Sequence, residues 1–164
     1  MQTLFVKYRL LVLAPFIIVL LDQVTKSIIQ KKMLLHQSIP IIPDLFNLTY
    51  IRNPGAAFGL FARGGGSLRT VFFISVSMIA LAVLGILYAK APIEARVMRW
   101  ALALVTGGAI GNLIDRIRFG EVIDFLDFYI GHYHWPAFNV ADSCITIGIG
   151  LLIFHAVTGR KTSS

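Results

Sequence analysis

The sequence predicts an all-α polytopic membrane protein with four transmembrane helices and a small β-rich flap outside the membrane. Hydrophobic residues make up 57% of the chain and charged residues only 14%, whereas a soluble domain carries about 25% charged residues. The mean hydropathy is +0.78, and the apolar residues are concentrated in long runs, as in integral membrane proteins. From the length of 164 residues we expect a single domain.

Four apolar runs are long enough, or nearly long enough, to cross the hydrocarbon core, which takes about 20 helical residues. They lie at about residues 10–29, 70–89, 97–114 and 140–158. The first run follows basic residues, as in a secretory signal, but the polar DQVTK comes next where a small-residue cleavage site would stand. It is therefore interpreted as an uncleaved span. The purely apolar part of the fourth run begins only at Ser143, so this helix must include residues before it.

The segment between the first two spans is predicted to be β-rich over about residues 36–65. Pro40, Pro43 and Pro54 break helices. The stretch LFNLTYI, residues 45–51, has the β-branched and aromatic content of a strand. We therefore expect a small β-flap on the outer membrane surface.

The net charge of +7 suggests that basic residues contact anionic lipid and help to set the orientation of the spans in the membrane. The chain has no nucleic-acid-binding motif, and no such partner is expected. With four spans, both termini lie on one side, and lysine and arginine divide almost equally between the two sides. All acidic residues except Glu94 lie on the side away from the termini. This distribution gives weak support for cytoplasmic termini.

Polar residues interrupt the first span at Asp22 and Lys26. Their i, i+4 spacing places both side chains on one face of a helix. They form either a structural ion pair that fixes this end of the helix or a direct part of a functional site.

The motif GGAIGNLIDR near the end of the third span contains two signals. Gly107 and Gly111 form a GxxxG pattern, which lets another helix approach closely. Asn112, Asp115 and Arg116 share one helix face at i, i+3 and i+4. They line a polar cavity, or Asp115 and Arg116 form an interfacial cluster that closes the helix end.

Two carboxylates flank the connection between the third and fourth spans. Asp124 stands in VIDF, with Asp127 near it if that stretch were helical, and Asp142 follows Asn139 in FNVADS. Taken alone, Asp142 is most simply the N-cap of the fourth helix. However, the topology brings Asp124 and Asp142 to the same membrane face. Two adjacent carboxyls share a proton and can perform aspartic-protease chemistry, without a metal or cofactor.

Other interpretations remain open. His132 and His134 share one face of an extended chain and suggest a metal site, but no third ligand is placed. Cys144 has no evident catalytic base nearby. Asn53, before a Pro-Gly turn, forms the turn or holds a substrate peptide. Buried acids also fit a small non-enzymatic membrane carrier, although four spans without an inverted repeat disfavour it.

Five motifs in order, namely DQVTK, NPGAAFG, GGAIGNLIDR, VIDF and FNVADS, resemble the lipoprotein signal peptidases, also called type II signal peptidases. The resemblance covers nearly the whole chain. It implies an aspartyl endopeptidase of the bacterial inner membrane that removes signal peptides from diacylglyceryl-modified prolipoproteins by cutting before the lipidated cysteine. It also implies cytoplasmic termini, an active site near the periplasmic face, a β-cradle, and inhibition by cyclic peptides of the globomycin type.

By motif, the resemblance assigns the catalytic pair to Asp124 and Asp142. The positions that support the pair or contact substrate are Asn53, Asn112, Arg116 and Asn139. The positions that give structural support are Asp22, Lys26 and Asp115. No metal ligand is implied, and nothing in the sequence requires more than a monomer.

Overall fold

The computed structural model describes residues 2–55 and 66–159. In these ranges, four helices are long and apolar enough to cross a membrane, which confirms the predicted fold class. The helices are α1 (Gln2–Lys32), α2 (Gly66–Lys90), α3 (Arg96–Phe119) and α4 (Val140–Gly159). Their outward faces carry exposed apolar side chains such as Phe16, Ile79 and Phe154, and a lipid environment accounts for this exposure.

Both α1 and α3 continue beyond the apolar runs that predict them. Lys26 lies inside α1 rather than near its end, because the helix runs on to Lys32. Likewise α3 passes through its polar residues and stops at Gly120, which adopts φ 74°. The backbone N–H of Gly120 donates to the carbonyl of Arg116, so a left-handed glycine cap ends the helix.

A four-stranded antiparallel sheet lies at the end of the bundle away from the chain termini. Its strands, in spatial order, are β1 (Ser38–Ile42), β2 (Phe46–Asn53), β3 (Val122–Ile130) and β4 (Tyr133–His134). The predicted β-rich segment supplies β1 and β2, whereas β3 and β4 come from the connection between α3 and α4. The remainder of that segment, residues 56–65, and the tail 160–164 lie outside the described residues.

The register of the central strand pair positions the acidic residues of β3. Ile51 of β2 pairs with Asp124, and Asn53 pairs with Val122. Because successive side chains in a strand point to opposite faces, Asp124 and Asp127 lie on opposite sides of the sheet. The alternative in which these two carboxyls are neighbours on a helix is therefore wrong. The sheet packs against the end of α1 through a buried hydrophobic cluster. The cluster consists of Ile29, Met33, Tyr50, Ile123 and Phe125.

Helix α3 contacts the other three helices, and its glycines permit the close approach. A Cβ atom on Gly107 would lie 2.9 Å from Cβ of Ile18 in α1. One on Gly108 would lie 2.3 Å from the carbonyl oxygen of Ala141 in α4. The close packing predicted from the GxxxG pattern is thus confirmed, and it extends to the adjacent glycine.

Gly108→Ala should destabilise the bundle, because the added methyl group overlaps the α4 backbone, which cannot move as a side chain can. Overpacking of this kind costs about 1–3 kcal/mol. The apparent melting temperature in detergent should fall. Gly150→Ala in α4 is the matched control, since a Cβ there meets nothing within 4 Å. Equal melting temperatures for the two variants would contradict this packing.

Candidate active site

A buried lysine organises the polar interior between α1 and α3. Nζ of Lys26 lies 2.9 Å from Oδ2 of Asp22 and 2.8 Å from Oδ2 of Asp115. It also donates to Oδ1 of Asn112 at 3.0 Å. Only 1% of Lys26 is exposed, so its three N–H donors are all satisfied inside the protein. Asp115 therefore pairs with Lys26, and the interpretation of Asp115 as part of an interfacial cluster with Arg116 is wrong.

The two aspartates of this ion network also bind the backbone of other elements. Oδ1 of Asp22 accepts a hydrogen bond from the N–H of Ala141 at 3.0 Å, in the first turn of α4. Oδ2 of Asp115 accepts one from the N–H of Ile123 at 3.1 Å, in β3. Nε2 of Gln23 donates to Oδ1 of Asp115 at 2.9 Å and strengthens the same network. The network thus positions both segments that carry the candidate catalytic acids.

Asp124 lies on β3 with its carboxylate held by two amides. Nδ2 of Asn139 donates to Oδ1 at 2.8 Å, and Nδ2 of Asn53 donates to Oδ2 at 2.9 Å. Oδ1 of Asn53 accepts from the N–H of Gly55 at 2.9 Å, so Asn53 both forms the turn and reaches the acid. Asp124 is 2% exposed, and its side chain is therefore fixed in one place.

Asp142 lies in the first turn of α4, and Asn139 is the N-cap. Oδ1 of Asn139 accepts from the N–H of Asp142 at 2.9 Å, which is the N-cap interaction with the third helical residue. The interpretation of Asp142 as the cap is therefore wrong. Its Oδ1 instead accepts from Nδ2 of Asn112 at 2.7 Å.

Asn139 joins the two acids. Its Oδ1 binds the backbone N–H of Asp142, while its Nδ2 binds the carboxylate of Asp124. The same Nδ2 lies within hydrogen-bond distance of the carbonyl oxygen of Ile123, at 3.1 Å, and of Oδ1 of Asn112, at 3.2 Å. Asn139 has no exposed surface. One rigid amide therefore sets the relative position of β3 and the start of α4.

Burial raises the pKa of Asp124 from 3.8 to about 7. The negative charge of Asp142 also raises it, whereas the hydrogen bonds from Asn53 and Asn139 and the charge of Lys26 oppose the shift. Asp124 consequently holds a proton for much of the time near neutral pH, as a general acid must.

Arg116 is half-buried beside these groups. Its guanidinium carbon lies 5.4 Å from the ring centroid of Phe73 in α2. Its charge interacts with the carboxylates of Asp142, Asp115 and Asp124, but within the described part of the chain it forms no direct ion pair with them. Within residues 2–55 and 66–159 its guanidinium donates no hydrogen bond, so its donors are not used by the described part of the chain.

The histidines considered for a metal site lie elsewhere. Nδ1 of His134 is 2.9 Å from Oδ1 of Asp127, which is on the opposite face of the sheet from Asp124. His132 is exposed. Among residues 2–55 and 66–159, no group of three histidine, cysteine, aspartate or glutamate side chains is placed to hold a metal ion.

Sequence reasoning missed Gln23, which belongs to the ion network. The available signal was an amide between Asp22 and Lys26 in an apolar run, where a polar side chain needs a partner. It also missed the contact from Asp22 to α4, because no local pattern reports a hydrogen bond between residues so far apart in the chain.

The sequence profile of the signal peptidase (SPase) II family matches residues 14–158 of this chain. The chain belongs to the signal peptidase II family. The lipoprotein signal peptidase of Desulforapulum autotrophicum is 51% identical over 150 residues, which cover 92% of this chain and 93% of the relative. That of Syntrophus aciditrophicus is 50% identical over 90% of this chain and 92% of the relative.

Two solved structures described as bacterial membrane enzymes have the same fold. One has a TM-score of 0.80 at 39% identity, with 89% of this chain and 91% of that chain covered. The other has a TM-score of 0.82 at 36% identity, with 94% and 91% covered. Membership of the signal peptidase II family confirms the resemblance found in the motifs, and it favours an enzyme over a membrane carrier.

In this member of the signal peptidase II family, Lys26→Gln should be strongly destabilising because it leaves Asp22 and Asp115 buried without their cation. Removing one partner of a buried ion pair costs about 3–5 kcal/mol. Thermal unfolding in detergent measures the loss. Lys31→Gln, at an exposed position in the last turn of the same helix, should change stability by less than about 0.5 kcal/mol. Equal stability of the two variants would contradict the role of the ion network.

The stability of Asp124→Asn relative to the parent should increase with pH. Because the pKa is about 7 in the folded chain against 3.8 in the unfolded chain, folding retains a proton that unfolding releases, and native stability falls as pH rises from about 4 to 7. Asparagine does not ionise and avoids this loss. Melting temperatures at pH 5 and pH 8 test the difference between variant and parent. Asp44→Asn, at an exposed turn, is the matched control, and an equal pH trend in both variants would contradict the role of Asp124.

Proposed function

We propose that this chain is an aspartyl endopeptidase that removes signal peptides from diacylglyceryl-modified prolipoproteins, cutting immediately before the lipidated cysteine. Asp124 and Asp142 are its catalytic pair. The observation that carries the proposal is the bridge through Asn139, which connects both acids at one end of a membrane-spanning bundle. The family and the names of the relatives support signal-peptide cleavage in lipoproteins.

The two carboxyls act with one proton between them. The ionised carboxylate takes a proton from a water molecule as the water oxygen attacks the scissile carbonyl carbon, and the protonated carboxyl gives its proton to the carbonyl oxygen. The tetrahedral diol then collapses, the C–N bond breaks, and a proton passes to the leaving amine. The raised pKa of Asp124 supports this scheme, because a shared proton must be retained near neutral pH.

The surrounding amides orient the pair without adding charge. Asn53, Asn112 and Asn139 each donate to one of the two carboxylates, so neither acid can rotate away from the attacking water. Arg116, whose donors are not used by the described part of the chain, contacts the substrate backbone near the scissile bond. Asp22, Lys26 and Asp115 support the site by fixing the two segments that carry the acids.

The location of the site suits a substrate anchored in the bilayer. The enzyme lies in the bacterial inner membrane with cytoplasmic termini, and the pair faces the periplasmic surface. The diacylglyceryl group keeps the substrate in the membrane, so it reaches the site by lateral diffusion while its acyl chains rest on apolar helix faces. The enzyme acts as a monomer, and globomycin-type cyclic peptides inhibit it by occupying this site.

Asp124→Asn and Asp142→Asn should each lower the cleavage rate of a diacylated lipobox peptide by at least about 10²–10⁴-fold, the usual contribution of general acid–base catalysis. Both variants should remain folded, because asparagine keeps the shape of the side chain. Asp127→Asn is the matched control on the same strand, since its carboxylate faces away from Asp124 and binds Asn47 and His134. It should retain cleavage.

A comparison of acylated and unacylated peptides tests the proposed recognition of the lipid group. The enzyme should cleave the diacylated peptide and leave the unacylated peptide with the same sequence largely intact. Activity should persist after thorough chelation of metals. Substantial activity in both asparagine variants would rule out the pair, whereas equal cleavage of the two peptides would rule out lipid recognition.

A further inference from the structure

A basic cavity lies at the end of the bundle opposite the candidate active site, where α1 and α3 begin. Its volume is about 320 Å³. Three arginines, one tryptophan and two leucines line it: Arg9, Leu10, Leu13, Arg96, Arg99 and Trp100. None of these side chains has a role in the proposed chemistry.

The innermost guanidinium of this cavity is buried and has no anionic partner in the part of the chain that the structure describes. Arg99 is only 7% exposed. Its terminal nitrogens donate to neutral oxygens, namely the carbonyls of Lys7 and Ile93 and the hydroxyl of Tyr88. Its Nε is also buried and has no acceptor among the described residues. A buried cation without a counterion is unfavourable unless an anion is supplied from elsewhere.

The outer two guanidiniums also lack a carboxylate partner. Arg9 and Arg96 are exposed, and in the part of the chain that the structure describes neither forms an ion pair. The only acidic residue in the sequence at this end is Glu94, and it too forms no ion pair there. Three guanidiniums therefore line one cavity, and none of them is paired with a carboxylate among the described residues.

An apolar groove continues from the basic cavity along α1. A second cavity of about 420 Å³ is lined by Tyr8, Arg9, Val12 and Leu13, so the two cavities share Arg9 and Leu13. Val12 is 64% exposed on a helix long and apolar enough to span a membrane. The combined surface is charged at the bundle end and apolar along the helix, as an amphiphile with an anionic head requires.

We infer that this surface binds an anionic phospholipid. Its phosphate lies against the three guanidiniums, and one acyl chain follows Tyr8, Val12 and Leu13. Basic pockets between transmembrane helices bind anionic head groups in this way, and Trp100, half exposed beside the pocket, suits the membrane interface. A zwitterionic lipid is a poorer fit because it brings its own cation. The inference depends neither on the catalytic pair nor on the orientation of the chain.

Native mass spectrometry of the purified protein, titrated with phosphatidylglycerol or phosphatidylcholine, tests the site. The parent should bind one phosphatidylglycerol more tightly than phosphatidylcholine. The double variant Arg9→Gln/Arg96→Gln should weaken phosphatidylglycerol binding by about ten- to thirty-fold, given the usual gain per basic residue near a membrane surface. Both arginines are exposed, so the fold should be retained, and Arg9→Lys/Arg96→Lys should restore most of the binding.

The matched control, Lys31→Gln/Lys32→Gln, removes the same charge from exposed positions at the other end of α1 and should bind phosphatidylglycerol like the parent. Equal binding of the two lipids, or equal loss in the arginine and lysine variants, would overturn the inference. A soluble glycerol phosphate competitor distinguishes lipid from free phosphate. If it displaces phosphatidylglycerol at millimolar concentration, the acyl contact is not part of the site and the lipid assignment is wrong.

Discussion

The buried ammonium group of Lys26 is the interaction on which the rest of the polar interior depends. A charge in a low-dielectric interior must be paired and fully hydrogen-bonded, and this one is met by two carboxylates and an amide. Asp22 then uses its second oxygen to hold the first turn of α4, and Asp115 uses the oxygen it shares with Lys26 to hold the first part of β3. A single cation thus fixes a strand and a helix that the chain connects through the two-residue strand β4 and an irregular segment.

Around Asp124 and Asp142 the hydrogen-bond donors are neutral. A lysine or arginine bonded directly to either carboxylate would favour its ionised form, and two ionised acids have no proton to donate. Asparagine amides restrain the same oxygens with a much smaller electrostatic effect. The arrangement separates two tasks: the cation stabilises the framework beneath the two acids, while neutral amides position the acids themselves.

The four spans could be predicted from hydropathy because the lipid solvent imposes length and composition directly. The placement of Asp22 and Lys26 on one helix face followed from helical periodicity. The ion pair between Lys26 and Asp115 could not be predicted in this way, since it depends on how two helices pack. Strand β3 was missed because the i, i+3 spacing of the acids in VIDFLDFYI also fits a helix, although its β-branched and aromatic content is typical of a strand. Strand β4 has only two residues, too few to form a recognisable pattern. The cap was misassigned because Asn139 and Asp142 are both good N-cap residues, and only the start of the helix distinguishes them. The pairing of Asp124 with Asp142 followed from the predicted topology and from the resemblance in the motifs rather than from any local pattern.

The double attachment of α4 has a consequence for when the enzyme becomes active during biogenesis. Its first turn is held by Asp22 from the first helix to enter the membrane and by the cap of Asn139, which also holds Asp124. A nascent chain that has inserted only three helices has one acid of the proposed pair and no bridge. On the proposed mechanism, proteolytic competence therefore arrives with the last helix.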